Sequence, residues 1–201
     1  MFDKAAFFAE VRKGILGPSL DPGEVQGCEA ILDAMAGTPL SWCAYALSTA
    51  FHETAHTMQP ISEFGGPKYL ARMYDITGSR PRLAHDMGNT TPGDGVKYAG
   101  KGFVQLTWKS NYAKASARTG VDLVAHPEKA MQLGLAAQIM RGGMEEGWFT
   151  GKALRHYLPD ARGTLAQYTA ARRIINGTDR AGLVAGYALQ FEAALVKGGW
   201  A

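Results

Sequence analysis

A helix of small and apolar residues that carries a glutamate near its end constrains this fold most. Thr38 and Pro39 give a helix-start signal, and the helix is predicted to run through SWCAYALSTAFHETAHTM. Glu53 lies next along its inward stripe, which is expected to contain residues that recur at helical spacing, namely Trp42, Ala46, Thr49 and Ala50. The pattern therefore brings a carboxylate onto or beside the buried face of an apolar helix.

Helical periodicity also dominates most of the remaining chain. Asp21 and Pro22 predict the start of a helix that ends at Gly37. Further helices are predicted at 109–119, from Pro127 onward, at about 163–175, and from Asp179 to about residue 196. With 201 residues, 46% of them hydrophobic, the chain has the size and composition of a soluble globular protein. We expect one domain over 1–201, mainly α (α+β) with a small β element.

Residues 59–95 break this helical pattern with proline, glycine, asparagine and aspartate, and predict turns and a long loop. A loop of this length inside a compact domain usually has a function. The segment that follows, KYAGKGFVQLT, has two short β-prone runs separated by glycines and predicts a hairpin. On its second strand Phe103, Gln105 and Thr107 would face a cleft, and Val104 and Leu106 would face the core.

Charge and cysteine content exclude some classes of protein. The net charge of +3 gives no dense basic stripe of the kind that nucleic-acid-binding proteins carry, although a mild positive balance favours approach to polyanions such as cell-wall polymers. No stretch approaches the roughly 18 apolar residues of a membrane span, so stable membrane insertion is not expected. Cys28 and Cys43 are predicted to lie on consecutive helices as buried free thiols.

The N-terminal segment MFDKAAFFAEVRKGIL does not have the pattern of a signal peptide. Asp3 and Glu10 are acidic, and Lys4 and Arg12 interrupt the apolar residues, so both the basic region and the continuous apolar region are missing. We expect synthesis in the cytoplasm, with any target outside the cell reached by other means.

The string His52-Glu53-Thr54-Ala55-His56 satisfies H-E-x-x-H, which on a helix places both histidines on one face. A zinc peptidase would use them as ligands and would need a third one. The extended zinc motif is absent, because Gln59 and Ser62 stand where glycine and histidine belong. The version of the motif with a downstream acidic ligand on a second helix would use Asp75, but Asp75 lies in the predicted loop. We favour histidines that form hydrogen bonds or line a cleft, with no metal.

Glu53 and Glu63 form a second candidate constellation. Glycoside hydrolysis needs one carboxylic acid kept protonated by an apolar setting and one carboxylate kept ionised by a wetter one. Glu53 lies among Ala50, Phe51 and Ala55, whereas Glu63 lies beside glycines in the predicted loop. From the residues alone, a partly buried Glu53 and a solvated Glu63 with no shared role remain an open alternative.

Three separated motifs, FHETAHTMQPISEFGG, DMGNTTPGDGVKYAGKGFVQLTWKSNY and ARRIINGTDRA, resemble the family 19 glycoside hydrolases, especially short phage and prophage endolysins. The resemblance covers most of residues 45–180. It implies the lysozyme-like superfamily fold, in which helices form two lobes and a small β-hairpin lies beside the substrate cleft.

The resemblance also implies roles for individual residues. Glu53 matches the general acid, Thr107 helps to hold the attacking water, and Glu63 is the second carboxylate, with Asp75 in reserve. Gln105 and Asn176 match positions that contact the substrate or a loop. Apart from the resemblance, Tyr98 and Tyr112 could stack on sugar rings, although an aromatic residue beside a helix more often belongs to the core. His52 is also assigned to the substrate site. The implied mechanism is inverting and uses no cofactor.

The function expected from this resemblance is a muramidase that cleaves the β-1,4 bonds of peptidoglycan glycan strands. We favour peptidoglycan over chitin because the chain matches the short endolysin forms and has no chitin-binding appendage or export signal. A monomer that a holin, or leakage during lysis, delivers to the wall fits this expectation. Chitinase activity, a zinc peptidase that uses His52 and His56, and an inert glycan-binding module are the alternatives.

Overall fold

A computed structural model describes residues 2–200 and is mainly α-helical with a small two-stranded sheet, which confirms the predicted fold class. The α-helices are α1 (Lys4–Val11), α2 (Pro22–Met35), α3 (Leu40–Glu53), α4 (Gly66–Tyr74), α5 (Pro81–Asp86), α6 (Asp94–Lys97), α7 (Lys109–Thr119), α8 (Leu133–Glu146), α9 (Leu165–Ala171) and α10 (Ala181–Lys197). The strands are β1 (Ile61–Ser62) and β2 (Lys101–Gly102), and 3-10 turns span Pro127–Met131, Leu154–His156 and Arg172–Ile174. Within residues 2–200, no helix combines the length and the apolar character that crossing a membrane requires.

The chain forms two compact units, as the resemblance implies. The first unit contains the residues up to Gln59 together with those from Gly143 onward, and the second is Pro60–Gly142. Glu53 therefore belongs to the first unit, and Glu63 and Thr107 belong to the second.

Helix α3 is the central element of the first unit. Every residue from 43 to 51 is buried, and the helix packs against α2 and α10, while α10 also packs against α1 and α9. Small side chains around α3 allow this close packing on several sides. Cys28 and Cys43 are buried and free, as predicted, and burial raises the pKa of both thiols.

Helix α3 ends at Glu53, so the prediction that it continues to residue 58 is wrong. The Thr54 hydroxyl donates to the Ala50 carbonyl and accepts from the Met58 amide, which offers the backbone an alternative to further helical turns. The His56 amide donates to the Phe51 carbonyl at 2.8 Å, and Ala55, His56 and Met58 all have positive φ. A tight and strained turn therefore follows directly on Glu53.

The small sheet of the second unit differs from the predicted hairpin. Strand β1 pairs antiparallel with β2, in the register Ile61 with Gly102 and Ser62 with Lys101. The partner of β2 thus comes from the segment after α3, and Leu106 adds only an isolated bridge to Lys101.

The predicted alternation of side chains along 103–107 is also wrong. Gln105 has a φ of 53°, a left-handed conformation that interrupts an extended strand. Phe103, Val104 and Leu106 are all buried, so Phe103 belongs to the core rather than to a polar face.

The predicted loop at 59–95 contains three short helices, α4, α5 and α6. Proline stands in the first turn of both α4 and α5, a start signal that the abundance of glycine obscured. These helices are too short to show a clear apolar period in the sequence.

Candidate active site

Glu53 is the last residue of α3 and is held by an arginine from a distant part of the chain. The Arg172 guanidinium donates Nη1–H to Glu53 Oε1 at 2.6 Å. The Glu53 side chain retains 19% of its exposure, and no hydrogen-bond partner of Oε2 is found within residues 2–200. The apolar setting predicted for Glu53 is therefore wrong, because a charged group fixes one oxygen and leaves the other accessible.

Arg172 is itself fully buried and is fixed at a second point, where its Nε–H donates to the Asp179 carbonyl at 2.8 Å. A guanidinium with two such contacts is a rigid support for a carboxylate. Arg172 lies in the motif ARRIINGTDRA but was not among the predicted site residues. An arginine within an otherwise apolar helical segment was the signal that could have identified it. Asn176 is exposed in the turn that Arg172 braces, and its amide donates to the Arg172 carbonyl.

Glu63 belongs to a polar cluster in the second unit. Its Oε1 accepts from the Tyr74 hydroxyl at 2.7 Å, and its Oε2 accepts from the Gly100 amide at 3.2 Å. Burial first, and then the hydrogen bond to Glu63, raise the pKa of Tyr74, so this hydroxyl stays a donor. The two contacts hold both oxygens of the Glu63 carboxyl group in place.

Gln105 lies against the same backbone position as Glu63. A Cβ at Gly100 would lie 2.6 Å from Gln105 Oε1 and 3.0 Å from Glu63 Oε2, so a side chain there would displace one of them. Gln105 Nε2 donates to the Ile61 carbonyl at 3.1 Å, which ties the residue to β1. Its amide nitrogen therefore has a structural role, and its Oε1 points to the Glu63 cluster.

Thr107 follows two residues later and is half-buried. Its hydroxyl donates to the Gln105 carbonyl at 2.8 Å, which fixes the direction of the O–H bond and leaves the oxygen lone pairs as acceptors. The second unit thus brings Glu63, Gln105 and Thr107 into one hydrogen-bonded neighbourhood, and the first unit brings Glu53, His52 and Arg172 together.

Several solved structures are similar to this chain in fold. Chitinase C from Streptomyces griseus aligns over 97% of this chain and 76% of its own, with a TM-score of 0.62 and 19% identity. A bacterial family 19 chitinase aligns over 100% and 96%, with a TM-score of 0.53 and 21% identity. A class IV family 19 chitinase from Zea mays aligns over 89% and 82%, with a TM-score of 0.50 and 21% identity. The fold is that of the family 19 chitinases.

No protein-family model and no curated protein sequence matches the chain. The likeness to the family 19 chitinases therefore concerns the fold, and a fold alone does not fix the chemistry of a site.

Within this family 19 fold, Asp75 is a structural carboxylate, so its reserve role as the second carboxylate is contradicted. It is 2% exposed and accepts from the amides of Thr77, Gly93 and Gly95 and from the Thr77 hydroxyl. Burial alone would raise the pKa of Asp75, but these hydrogen bonds outweigh it and lower the pKa. Its oxygens organise the segment before β2 and have no capacity left for a water nucleophile.

The two tyrosines proposed to stack on sugars belong to the core, which corrects that expectation. Tyr98 and Tyr112 are buried against each other with ring centroids 5.3 Å apart. Their hydroxyls donate to the carbonyls of Val124 and Ala99. Neither ring offers a face to a ligand.

The two histidines of H-E-x-x-H do not share a helical face, because α3 ends before His56. The His56 ring stacks on Phe51 at 4.2 Å between centroids, and Tyr187 packs edge-on against both rings. Within residues 2–200, no group of three or more His, Cys, Asp and Glu side chains is arranged to hold a metal ion. The helical geometry that the zinc interpretation requires is therefore missing.

His52 is half-buried next to Glu53, and burial lowers its pKa, which Glu53 and Asp179 partly restore while Arg172 and His56 lower it further. We therefore predict that an NMR titration places the pKa of His52 below the 6.5 of an unperturbed histidine. The unfolded chain binds this proton at higher pH than the native state, so the free energy of unfolding should decrease as the pH falls below about 6.5. His52→Asn should remove that part of the pH dependence, and a His52 that titrates above 6.5 would contradict the prediction.

Proposed function

We propose that the chain is a glycoside hydrolase that cleaves the β-1,4 bonds of bacterial peptidoglycan, as a lytic enzyme of lysozyme type. The observation that carries the proposal is the presentation of Glu53, whose Oε1 is fixed by the buried Arg172 while Oε2 has no protein partner within residues 2–200. A carboxyl group held in one orientation with one free oxygen is what protonation of a glycosidic oxygen requires. The family 19 chitinase fold supports the same assignment.

In the proposed mechanism Glu53 donates the proton from Oε2 to the leaving glycosidic oxygen. Arg172 cannot give up a proton itself, since a guanidinium stays charged in proteins. It holds the carboxyl group through the reaction and stabilises the carboxylate that forms once the proton has left.

Glu63 takes the role of general base. The donors on both of its oxygens hold the Glu63 carboxyl group in position, and Thr107 offers acceptor lone pairs that can orient a water. In an inverting hydrolase the base activates a water that attacks the face of the sugar opposite the leaving group. The water oxygen forms the new bond to the anomeric carbon as the bond to the leaving oxygen breaks; Glu53 gives its proton to the leaving oxygen, and Glu63 takes one from the water. The mechanism requires no metal or organic cofactor.

Two measurements test the reaction. Mass spectrometry of the fragments released from purified peptidoglycan should show cleavage between sugars and intact stem peptides, whereas peptide cleavage would refute the proposal. NMR of the first product formed should show the α-anomer, because inversion at a β bond produces it. Early accumulation of the β-anomer would show that the second carboxylate acts as a nucleophile and not as a general base.

Chitin is the second candidate substrate, and the similarity of the fold to chitinases favours it. Hydrolysis of chitin and peptidoglycan differs in the groups that the sugars carry and not in the bond that is cut. Initial rates on colloidal chitin and on peptidoglycan, measured with one enzyme preparation, distinguish the two. We place peptidoglycan first because residues 60–142 carry a net positive charge, which favours an anionic glycan.

The proposal includes the whole chain as one catalytic domain that acts as a monomer on glycan strands and does not bind nucleic acid. An endolysin made in the cytoplasm would need a holin, or leakage during lysis, to reach the wall. Lysis from within after expression together with a holin, and no lysis without one, is the expected result.

Thr107→Ala should raise the activation barrier by about 2–4 kcal/mol if the hydroxyl helps to orient the water, by analogy with loss of one preorganised polar group. Removing the hydroxyl also deletes one hydrogen bond to Gln105, so the melting temperature should fall slightly. Thr107→Ser keeps the hydroxyl and should restore most of kcat. Unchanged kcat together with a lowered melting temperature would assign Thr107 to the scaffold.

A further inference from the structure

A strip of exposed aromatic and basic side chains lies directly beside Glu63 in the second unit. It consists of Phe64, Lys68, Tyr69 and Arg72, and we refer to it as the aromatic–basic strip. Phe64 is 82% exposed and Tyr69 is 42% exposed, while Lys68 and Arg72 are also exposed. A phenylalanine this open to water contributes nothing to the core, and exposed apolar surface rimmed by polar residues is typical of binding sites.

The local backbone between the two aromatic residues depends on a pair of glycines. Gly65 and Gly66 have φ values of 129° and 70°, and the Tyr69 ring lies so close to Gly65 that a Cβ would collide with it. Phe64 precedes Gly65 directly and is exposed, so both aromatic residues lie at the surface on either side of the Gly65-Gly66 turn. Glycine at 65 is required for this arrangement, because any side chain would displace Tyr69.

The basic residues share a face of α4 with Tyr69. Lys68 and Arg72 are four positions apart and Tyr69 and Arg72 three, so the three side chains are neighbours on the helix surface. Neither Lys68 nor Arg72 has an acidic partner within residues 2–200. Their charges are therefore available to a ligand.

The strip is continuous with the Glu63 cluster. Phe64 follows Glu63 in the chain, and Tyr69 is close enough to Tyr74, the donor to Glu63, to affect its pKa. A polymer that places one sugar at Glu63 would run over the neighbouring aromatic rings.

The charge of the chain is concentrated in this unit. Residues 60–142 contain eleven lysines and arginines against six aspartates and glutamates, a net charge of +5, whereas the rest of the chain contains ten against twelve, a net charge of −2. Together these account for the overall +3. An uncharged glycan would gain nothing from this imbalance, but an anionic one is attracted to it.

We propose that the aromatic–basic strip is a binding subsite for a carboxylate-bearing glycan, which rests on the proposed glycoside hydrolase function and selects peptidoglycan over chitin. Sugar rings stack on Phe64 and Tyr69, as apolar sugar faces do on aromatic rings. Carboxylates of the stem peptides pair with Lys68 and Arg72. Chitin has no such carboxylates and would use only the aromatic part.

The experiment measures binding without turnover. The Glu53→Gln variant is mixed with insoluble peptidoglycan sacculi, with the same sacculi after carbodiimide amidation of their carboxylates, and with colloidal chitin, and the bound fraction is measured at rising salt. Lys68→Gln/Arg72→Gln added to this background should weaken binding to native sacculi about fivefold and leave amidated sacculi and chitin unchanged. Phe64→Ala should weaken binding to all three about tenfold.

The controls match the size and charge of each change. Lys152→Gln/Lys197→Gln removes the same charge from exposed positions of the first unit, and Leu165→Ala truncates an exposed apolar side chain there, so neither should alter binding. Unchanged binding in the Lys68/Arg72 variant, or equal losses in the matched control, would overturn the subsite. Binding of vesicles of anionic phospholipid with the same dependence on Lys68 and Arg72 would assign the strip to a membrane and also overturn it.

The outcome is separable from that of the proposed function. If the wild-type enzyme is active but binds native and amidated sacculi equally well, the proposed hydrolase function stands and the subsite is refuted. If binding depends on the charges of Lys68 and Arg72 but the chain cleaves neither peptidoglycan nor chitin, the subsite stands and the proposed hydrolase function is refuted.

Discussion

Glu53→Gln should remove nearly all hydrolytic activity, with kcat lowered on the order of 10²–10⁴-fold, because the amide has no proton to give to the leaving oxygen. The fold should survive, since the amide oxygen of glutamine can still accept from Arg172 where Oε1 does now. Initial rates on purified peptidoglycan and a thermal unfolding curve measure the two effects separately.

The control for this change is Glu29→Gln in the same unit. Glu29 is a half-buried residue of α2 whose carboxylate lies 3.5 Å from Lys4 Nζ, and its neutralisation should leave both activity and melting temperature near those of the unmodified chain. If a well-folded Glu53→Gln variant kept more than about a tenth of the activity, the general acid would have to be another residue.

Glu63→Gln should depress turnover by orders of magnitude and remove the acidic limb of the pH–rate profile, since that limb reports the group that must be ionised. A glutamine offers one acceptor oxygen, so it cannot satisfy both the Tyr74 hydroxyl and the Gly100 amide. A modest loss of stability is therefore expected as well, about 1–3 kcal/mol for a donor left unpaired.

Tyr74→Phe separates this structural cost from the chemistry. It removes one donor to Glu63 and keeps the ring, which packs edge-on against Trp108 at 5.0 Å. This variant should lower kcat much less than Glu63→Gln and keep the acidic limb. Equal losses in the two variants would mean that Glu63 supports the site and does not act as the base.

Asp75→Asn completes the comparison, and the structure changes what it should show. Asp75 Oδ2 accepts from the amides of Gly93 and Gly95, and an NH2 group at that place would face other donors. We expect a lower melting temperature with the acidic limb retained. Loss of the limb here, and not in Glu63→Gln, would transfer the base to Asp75.

The contrast between the two carboxylates shows where local reasoning stops. Both lie in a segment rich in glycine and proline, and nothing in their flanking residues distinguishes a half-buried Glu63 from a fully buried Asp75. The difference arises because Gly93 and Gly95, far along the chain, direct their amides to Asp75. Hydrogen bonds between residues so distant in sequence leave no periodic signal.

Local signals did determine several features. Helix α2 begins at Pro22, as Asp21 and Pro22 predict, α7 ends at a left-handed Gly120, and the burial of both cysteines follows from their helical positions. The mainly α fold follows from the same periodicity, because an amphipathic pattern fixes which face of a helix is buried regardless of its partners.

Tertiary structure alone decided the partners and the setting of the candidate site. Lys101 of β2 bridges to Leu106, but the strand that pairs with β2 is β1, and only packing brings that more distant segment against it. Glu53 was expected in an apolar setting, yet its Oε1 is bound to Arg172, 119 residues away. The sequence by itself determined that a glutamate would stand at the end of a buried helix, since spacing is a local property. The charge that faces that glutamate depends on which distant segment folds against it, and only three-dimensional packing specifies that.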